Sequence, residues 1–217
     1  MIKFENVTAT YKKNIGIFNI SFDVEPGELV FIMGPTGSGK STVLKTIYKD
    51  MNINAGKIFI DNTDISKNTS ISNIALLRRK IGMVFQDFKL LNDRSVIDNV
   101  ALPLRIDGYS SYDIKRLVKE ALLKIGLPGC ENAYPLELSG GEQQRICIAR
   151  ALVKNPKVIL ADEPTGNLDP NISDEILDLL ETCTNNGSSV LMSTHNFPLI
   201  KPRNKKFIEL SKGRVIE

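Results

Sequence analysis

Apolar and polar residues alternate through Phe18, Ile20, Phe22 and Val24, a period of two that predicts a half-buried strand. Glu25-Pro-Gly-Glu28 then predicts a turn. Leu29–Met33 is apolar throughout, the mark of a strand buried on both faces. It leads into a glycine-rich stretch, residues 34–39, and a predicted helix over about residues 40–49. The stretch as far as this loop reads as β-rich. Residues 58–60 and 81–85 predict further short strands, with a polar segment at 61–69 and a short helix near 74–79 between them.

From residue 88 to about 153 the pattern turns helical. Ser110 and Ser111 can cap a helix that places Ile114, Leu117, Val118, Ala121, Leu122 and Ile125 on one face. Gly126 and Pro128 end it. Residues 158–161 and 190–193 predict two more buried strands, separated by a helix over 173–182. Residues 207–210 and 214–216, around Ser-Lys-Gly, predict a hairpin. Strands alternating with helices predict a mainly parallel sheet, so the fold class is α/β. The two end regions add an antiparallel β portion. The expected organisation is one domain over 1–217: a core of 1–87 and 154–217, with a helical lobe inserted at 88–153. There is no internal repeat.

Composition narrows the function classes. A chain of 217 residues buries a core without disulfides or metals. Its net charge of +3 argues against a dedicated nucleic-acid binder, which carries a basic face. The clusters at residues 78–80 and 203–206 read as solvated faces, with contact to anionic lipid as the other reading. Cys130, Cys147 and Cys183 are odd in number and lack metal-ligand spacing, which predicts reduced thiols of a cytoplasmic protein. The N-terminus predicts no signal peptide. No apolar run approaches the roughly 20 residues of a spanning helix. Any link to a membrane is therefore expected to run through a partner.

Three motifs carry chemistry. Gly34-Pro35-Thr36-Gly37-Ser38-Gly39-Lys40-Ser41 fits G-x-x-x-x-G-K-[ST] and lies between a predicted strand and a predicted helix. Such a loop wraps phosphate oxygens closely because its glycines lack Cβ. Its amides and the helix N-terminus present partial positive charge to them. Lys40 is expected at the β- and γ-phosphates of ATP and the Ser41 hydroxyl on Mg²⁺. Thr42 is expected to add a phosphate contact. The second motif, Val158-Ile-Leu-Ala-Asp162-Glu163, is an apolar strand ending in two carboxylates. Asp162 is placed to orient Mg²⁺, through water. Glu163 can accept a proton from the attacking water, a role worth about 10²–10⁴ in rate. In the third, Leu138-Ser139-Gly140-Gly141-Glu142-Gln-Gln-Arg145, Ser139 and Glu142 form an S-x-x-E capping box. Gly140 and Gly141 leave the first amides of the helix uncovered, an anion site by its dipole. Ile146, Ala149 and Leu152 can pack inward.

This third stretch resembles the ABC signature and, with the phosphate loop, identifies a member of the ABC ATPase family over essentially the whole chain. The resemblance implies a P-loop NTPase core and an ATP-dependent head-to-tail homodimer. Each ATP would lie between one subunit's phosphate loop and the other's Ser139, Gly140 and Gly141. Tyr11 looks like the aromatic that stacks on adenine. Gln86 looks like the glutamine that touches Mg²⁺ and senses the membrane partner. Asn167-Leu168-Asp169 resembles the loop that crosses the dimer interface. His195, the single histidine, resembles the switch histidine that contacts the γ-phosphate and the attacking water. Asn196 stands where many members have aspartate.

Ile81-Gly-Met-Val-Phe-Gln-Asp-Phe-Lys-Leu-Leu91, Asp93-Arg94 and Asp98-Asn99-Val100-Ala101 resemble the FtsE family of cell-division ABC ATPases. Residues 161–169 fit it too, and are shared with lipoprotein-release and macrolide-export ATPases. The FtsE resemblance implies a position at the inner face of the membrane and a four-span FtsX-like partner. ATP-driven closure would move that partner and so switch on cell-wall hydrolases outside. The segment from Gln86 to about residue 104 would receive the partner, with Phe88, Leu90 and Leu91 either touching it or packing within the lobe. The export ATPases are the alternative reading. A DNA-repair or chromosome-structure ATPase is more remote, because no sustained heptads separate the motifs.

Overall fold

The computed structural model describes every residue except 13, 14, 68, 69, 167 and 217. Strands β1 (Ile2–Lys12) and β2 (Ile15–Val24) pair antiparallel. The 25–28 turn is closed by the Glu28 amide donating to the Glu25 carbonyl at 3.1 Å. It delivers the chain into β3 (Leu29–Met33), the glycine loop and α1 (Lys40–Ile47). Strands β4 (Ala55–Ile60) and β5 (Thr63–Asp64) return to β1, giving an antiparallel sheet of order β2-β1-β4-β5. Then follow α2 (Ile71–Arg79), β6 (Ile81–Val84), α3 (Val96–Ile106), α4 (Ser111–Lys124) and α5 (Gly140–Leu152). The chain closes with β7 (Val158–Asp162), α6 (Pro170–Asn185), β8 (Ser189–Thr194), α7 (Phe197–Ile200), β9 (Phe207–Ser211) and β10 (Arg214–Ile216).

The second sheet has the order β10-β9-β3-β8-β7-β6. All its pairs are parallel except β9–β10. Strands β3, β7 and β8 are buried on both faces, and the period of two sorts their residues. Val30, Ile32, Val158, Leu160 and Leu191 face α1 and the antiparallel sheet. Leu29, Phe31, Ile159, Ala161, Val190 and Met192 face α5 and α6. A third core joins α3, α4 and α5 through Val100, Leu104, Val118, Leu122, Ile146 and Ala149. Helix α5 belongs to two cores, since Ile148 faces the sheet while Ile146 and Ala149 face the lobe.

Several boundaries move for local reasons. Helix α2 starts at Ile71, because Ser70 caps it and accepts from the Asn73 amide at 3.4 Å. Helix α6 starts at Pro170, three residues before the expected start. Asp169 accepts from the amides of Asn171 and Ile172 at 3.0 and 3.1 Å, and proline is at home in a first turn. Helix α1 stops at Ile47, and Lys49 beyond it is left-handed, φ 58°. The helical pattern begins at Val96, not at residue 88. Residues 85–95 form a loop stapled by the fully buried Asn99. Its side chain accepts from the Leu91 amide at 2.8 Å and donates to the carbonyls of Leu91, Arg94 and Ser95 at 3.0–3.1 Å.

All three cysteines are free thiols. Burial pushes Cys147 up to about 12 and Cys183 to about 11, so neither is a nucleophile at neutral pH.

Asn99→Ala strands the Leu91 amide and several carbonyls in the interior. The expected loss is about 2–3 kcal/mol. At roughly 2–4 °C per kcal/mol for a chain of this size, the melting temperature should fall by ~4–12 °C. Calorimetry checks this, and an unchanged melting point would show that the staple contributes nothing.

Candidate active site

The parallel register brings the motifs to one edge. Met33, the last residue of β3, lies opposite Thr194 of β8, and Asp162 of β7 lies opposite Ser193. The glycine loop, the acidic turn and His195 therefore leave the sheet side by side, at the carboxyl ends of neighbouring strands. Crevices at that edge are where open α/β sheets hold ligands.

The loop's glycines are steric necessities at two positions. Gly34 has φ 146°, and a Cβ there would sit 2.2 Å from the Leu210 carbonyl. At Gly39, φ is 110° and a Cβ would meet Ile17 Cγ2 at 2.8 Å. The loop is wedged between β2 and the β9–β10 hairpin, whose Gly213 amide donates to the Ser38 carbonyl at 2.9 Å. Pro35, Thr36 and Gly37 are exposed at its tip. Ser38 is buried, with its hydroxyl unpartnered. Thr42 is buried one turn further on.

Lys40 opens α1 and is 4% exposed. Its Nζ donates to the carbonyls of Gly34 and Pro35 at 2.8 and 3.3 Å. It also lies 3.1 Å from Glu163 Oε1. The other carboxylate oxygen, Glu163 Oε2, is 2.5 Å from His195 Nδ1. Glu163 itself is left-handed, φ 44°, a conformation that costs a non-glycine residue about 1–3 kcal/mol. Its amide is anchored on the Ser193 hydroxyl at 2.9 Å and lies 3.2 Å from the Ser193 carbonyl. That hydroxyl donates to Asp162 Oδ1 at 2.6 Å, where Ser41 Oγ also donates at 3.0 Å.

Ser193 is the residue sequence reasoning passed over, as one member of a buried strand. Its signal is a hydroxyl inside an apolar run, two residues before the histidine. Gln86, just beyond β6, is exposed. A Cβ at Gly166 would lie 3.8 Å from both Gln86 Nε2 and Glu163 Cβ, so Gln86 reaches the acidic turn. Tyr11, near the end of β1, is 53% exposed, with its ring 6.0 Å from Lys45 Nζ of α1. Asn196 caps α7 by accepting from the Leu199 amide at 3.3 Å. Asn and Asp are near-equal caps, so its departure from aspartate preserves this contact.

Hard cations take oxygen ligands, and Mg²⁺ keeps several waters while using one or two carboxylates with substrate phosphates. Ser41 Oγ and Asp162 Oδ1, with the Gln86 amide nearby, fit that donor set. Among the described residues no group of three or more His, Cys, Asp or Glu is arranged to hold a metal ion by itself.

The signature forms a separate face. Ser139 caps α5, and Glu142 accepts from the Ser139 amide and hydroxyl at 2.8 and 2.7 Å. The Ser139 hydroxyl and then its amide hold the Glu142 carboxyl below its ordinary pKa. Gly140 and Gly141 abut Leu168 and Ile172, where added Cβ atoms would stand 4.0 and 3.1 Å from side-chain carbons. Asp169 is spent capping α6, and Asn167 lies outside the described residues. Leu90 packs into the lobe core, and neither it, Phe88 nor Leu91 lines the nearby groove. That cavity, of about 680 Å³, is lined by Ile71, Phe85, Lys89, Leu102, Ile106 and Arg150 among others.

Comparison with known proteins agrees with this geometry. The family described as ABC transporter matches residues 17–166. The Escherichia coli K12 cell division ATP-binding protein FtsE is 47% identical over 216 residues, covering 99% of this chain and 97% of that one. The dimeric structure of MJ0796, a bacterial ABC transporter cassette, superposes with a TM-score of 0.89 at 37% identity, covering 100% of this chain and 97% of its own. A dimeric post-hydrolysis state of the same ATP-binding cassette, bound to ADP and Pi, gives 0.89 at 36% identity, with the same coverages. The chain belongs to the ABC transporter family.

The capping box predicts a pH signature. Because the Glu142 carboxyl is depressed in the folded chain, its contribution is present above the unfolded carboxyl pKa. It is lost as pH falls through the folded value. In Ser139→Ala the Glu142 pKa should climb back toward the ordinary carboxylate range. Carboxyl-carbon NMR titration reads both, and equal values in the two proteins would refute the assignment.

Proposed function

We propose that this chain is the ATP-binding and ATP-hydrolysing subunit of an FtsE-type membrane complex in cell division. The observation that carries the reading is the Lys40–Glu163–His195 chain of contacts beside Ser41 and Asp162. The close likeness to a post-hydrolysis cassette and to FtsE supports it. Gly34, Pro35, Thr36, Gly37, Ser38 and Gly39 wrap the phosphates. Ser41 and Thr42 close on them, and Tyr11 stacks on adenine.

Lys40 draws the triphosphate toward the acidic turn, exchanging its carbonyl partners for β- and γ-phosphate oxygens. Glu163 takes the proton of the attacking water. His195 Nδ1–H orients that carboxylate and holds its negative charge at the position where the base is needed. Ser193 fixes the turn, so the Asp162 and Glu163 carboxylates cannot drift apart. Bound Mg²⁺ on Ser41 and Asp162, with Gln86, would supply charge neutralisation at the phosphates. The anion face at Ser139, Gly140 and Gly141 serves the ATP of a second copy, with Glu142 holding the cap. Leu168 borders it. Dimerisation therefore follows ATP.

Among the described residues no helix is long and apolar enough to cross a membrane. The complex therefore joins the inner face of the membrane through an integral partner of the FtsX kind. The groove between α2, β6 and α3 receives that partner.

Glu163→Gln should bind ATP, dimerise and turn over roughly 10²–10⁴ more slowly, whereas Lys40→Ala should lose ATP binding. Steady-state hydrolysis, nucleotide titration and gel filtration with ATP separate the two. Turnover of Glu163→Gln within a few-fold of the parent would remove Glu163 as the base.

The biological assignment is tested by trapping Glu163→Gln with ATP in its own cells and identifying the membrane protein that co-purifies. A four-span partner with an extracytoplasmic domain between its first two spans is the expected result. Partners of lipoprotein release or drug efflux would leave the chemistry standing and overturn the division role.

A further inference from the structure

The loop after β6 contains an uncommon backbone feature. Phe88 and Lys89 are consecutive non-glycine residues in the left-handed region, with φ 58° and 51°. L side chains disfavour that region, which admits single residues far more readily than pairs. Something must hold the bend, and the contacts come from α5. Arg150 Nη2 donates to the Phe88 carbonyl at 2.7 Å and Nη1 to the Lys89 carbonyl at 2.6 Å. The Cys147 thiol, one turn earlier, donates to the Phe88 carbonyl at 2.9 Å. Both carbonyls are turned into one planar fork, the geometry a guanidinium offers and an ammonium does not.

The rest of the loop is fixed elsewhere. Phe85 stands edge-on to Tyr48, with centroids 6.3 Å apart, and Leu91 is stapled by Asn99. Gln86 lies between the Phe85 anchor and the bend, beside the Glu163–Gly166 turn. Arg150 and Lys89 also line the groove proposed for the membrane partner. Burial lowers the Arg150 pKa, while the neighbouring Cys147 and Tyr48 act the other way. A charge is thus drawn out of water to serve two backbone carbonyls.

We infer that Arg150 is a positioning residue for Gln86. Its guanidinium clasps the left-handed bend at Phe88 and Lys89, and so sets where Gln86 stands at the acidic turn. Because Arg150 rides on the helix that begins with the signature, the clasp ties three places together: the groove wall, the Gln86 loop and the anion face used by the second copy. Displacement of Lys89 or Arg150 changes the bend, and with it the position of Gln86 at the acidic turn. This rests on the reading of Gln86 as the residue that touches Mg²⁺.

The test uses the purified full chain and four variants: Arg150→Met, Arg150→Lys, Gln86→Ala, and Arg150→Met combined with Phe88→Gly and Lys89→Gly. Hydrogen exchange across residues 86–91 reads the clasp without reference to activity, and thermal melting reads global stability. Arg150→Met should speed exchange in that loop and lower kcat by roughly 10- to 100-fold, the cost of an ångström-scale misplacement. The KM for ATP should stay within about threefold, and the Mg²⁺ concentration for half-maximal rate should rise. The glycine pair should restore much of the kcat, since glycine takes the left-handed bend without a clasp. Should Arg150→Met fail to fold, Arg150→Lys carries the same measurements.

Unchanged loop exchange refutes the clasp. Parallel losses of kcat and melting temperature, with no rescue by glycine, would reduce Arg150 to a structural residue of the lobe. Faster loop exchange with normal kcat overturns the positioning role. In that case a normal kcat in Gln86→Ala would place the error in the role given to Gln86.

Discussion

One side chain of β8 holds both halves of the acidic turn: the Ser193 hydroxyl donates to Asp162 Oδ1 and accepts from the Glu163 amide. That arrangement needs β7 and β8 to end in register, with Asp162 opposite Ser193. It also needs the backbone to reverse at once into the left-handed conformation of Glu163. A shift of one residue in either strand would turn the carboxylates to the other face of the sheet. The two-sided burial of β3, β7 and β8 protects the site from such a slip, because every residue would move into the wrong core.

The charges at this edge are arranged in sequence rather than as isolated pairs. The side chains of Lys40 and Glu163 are 5% and 12% exposed, a depth at which an unpartnered charge is strongly disfavoured. Each therefore has more than one partner. Lys40 has two loop carbonyls and a carboxylate oxygen, while Glu163 divides its two oxygens between a lysine and a histidine. In the function proposed above, a triphosphate entering the loop would replace carbonyl and carboxylate partners of Lys40 with phosphate oxygens and leave Glu163 free to accept a proton. Binding and preparation of the base would then be one event.

Helix α5 links this edge to the rest of the molecule. Its first turn is the signature, its middle divides between the sheet core and the lobe core, and its last turn carries Arg150. A rigid helix moves both of its ends when either is displaced. The lobe is therefore mechanically joined to the Gln86 loop, although its own core of α3, α4 and α5 is separate from the sheet.

Much of this was legible in the residues. Unbroken apolar runs marked the buried strands, because only a strand covered on both faces tolerates them. The phosphate loop, the paired carboxylates and the capping box were local patterns whose chemistry needs adjacent residues, so adjacency in sequence sufficed. Helix starts at Ile71 and Pro170 were missed because caps at Ser70 and Asp169 outweigh the apolar period. Residues 88–95 passed for helix because their staple, Asn99, lies in the next element. Ser193 and Arg150 were invisible for the same reason: each acts on backbone or carboxylate groups 30 or more residues away in the chain. Sequence by itself determined which groups are proposed to handle phosphate, since that chemistry is written in contiguous motifs. Only the tertiary structure decided how those groups are held. Strand register and a shared helix bring distant hydroxyls and guanidinium nitrogens within hydrogen-bond reach, and no local pattern records such distances.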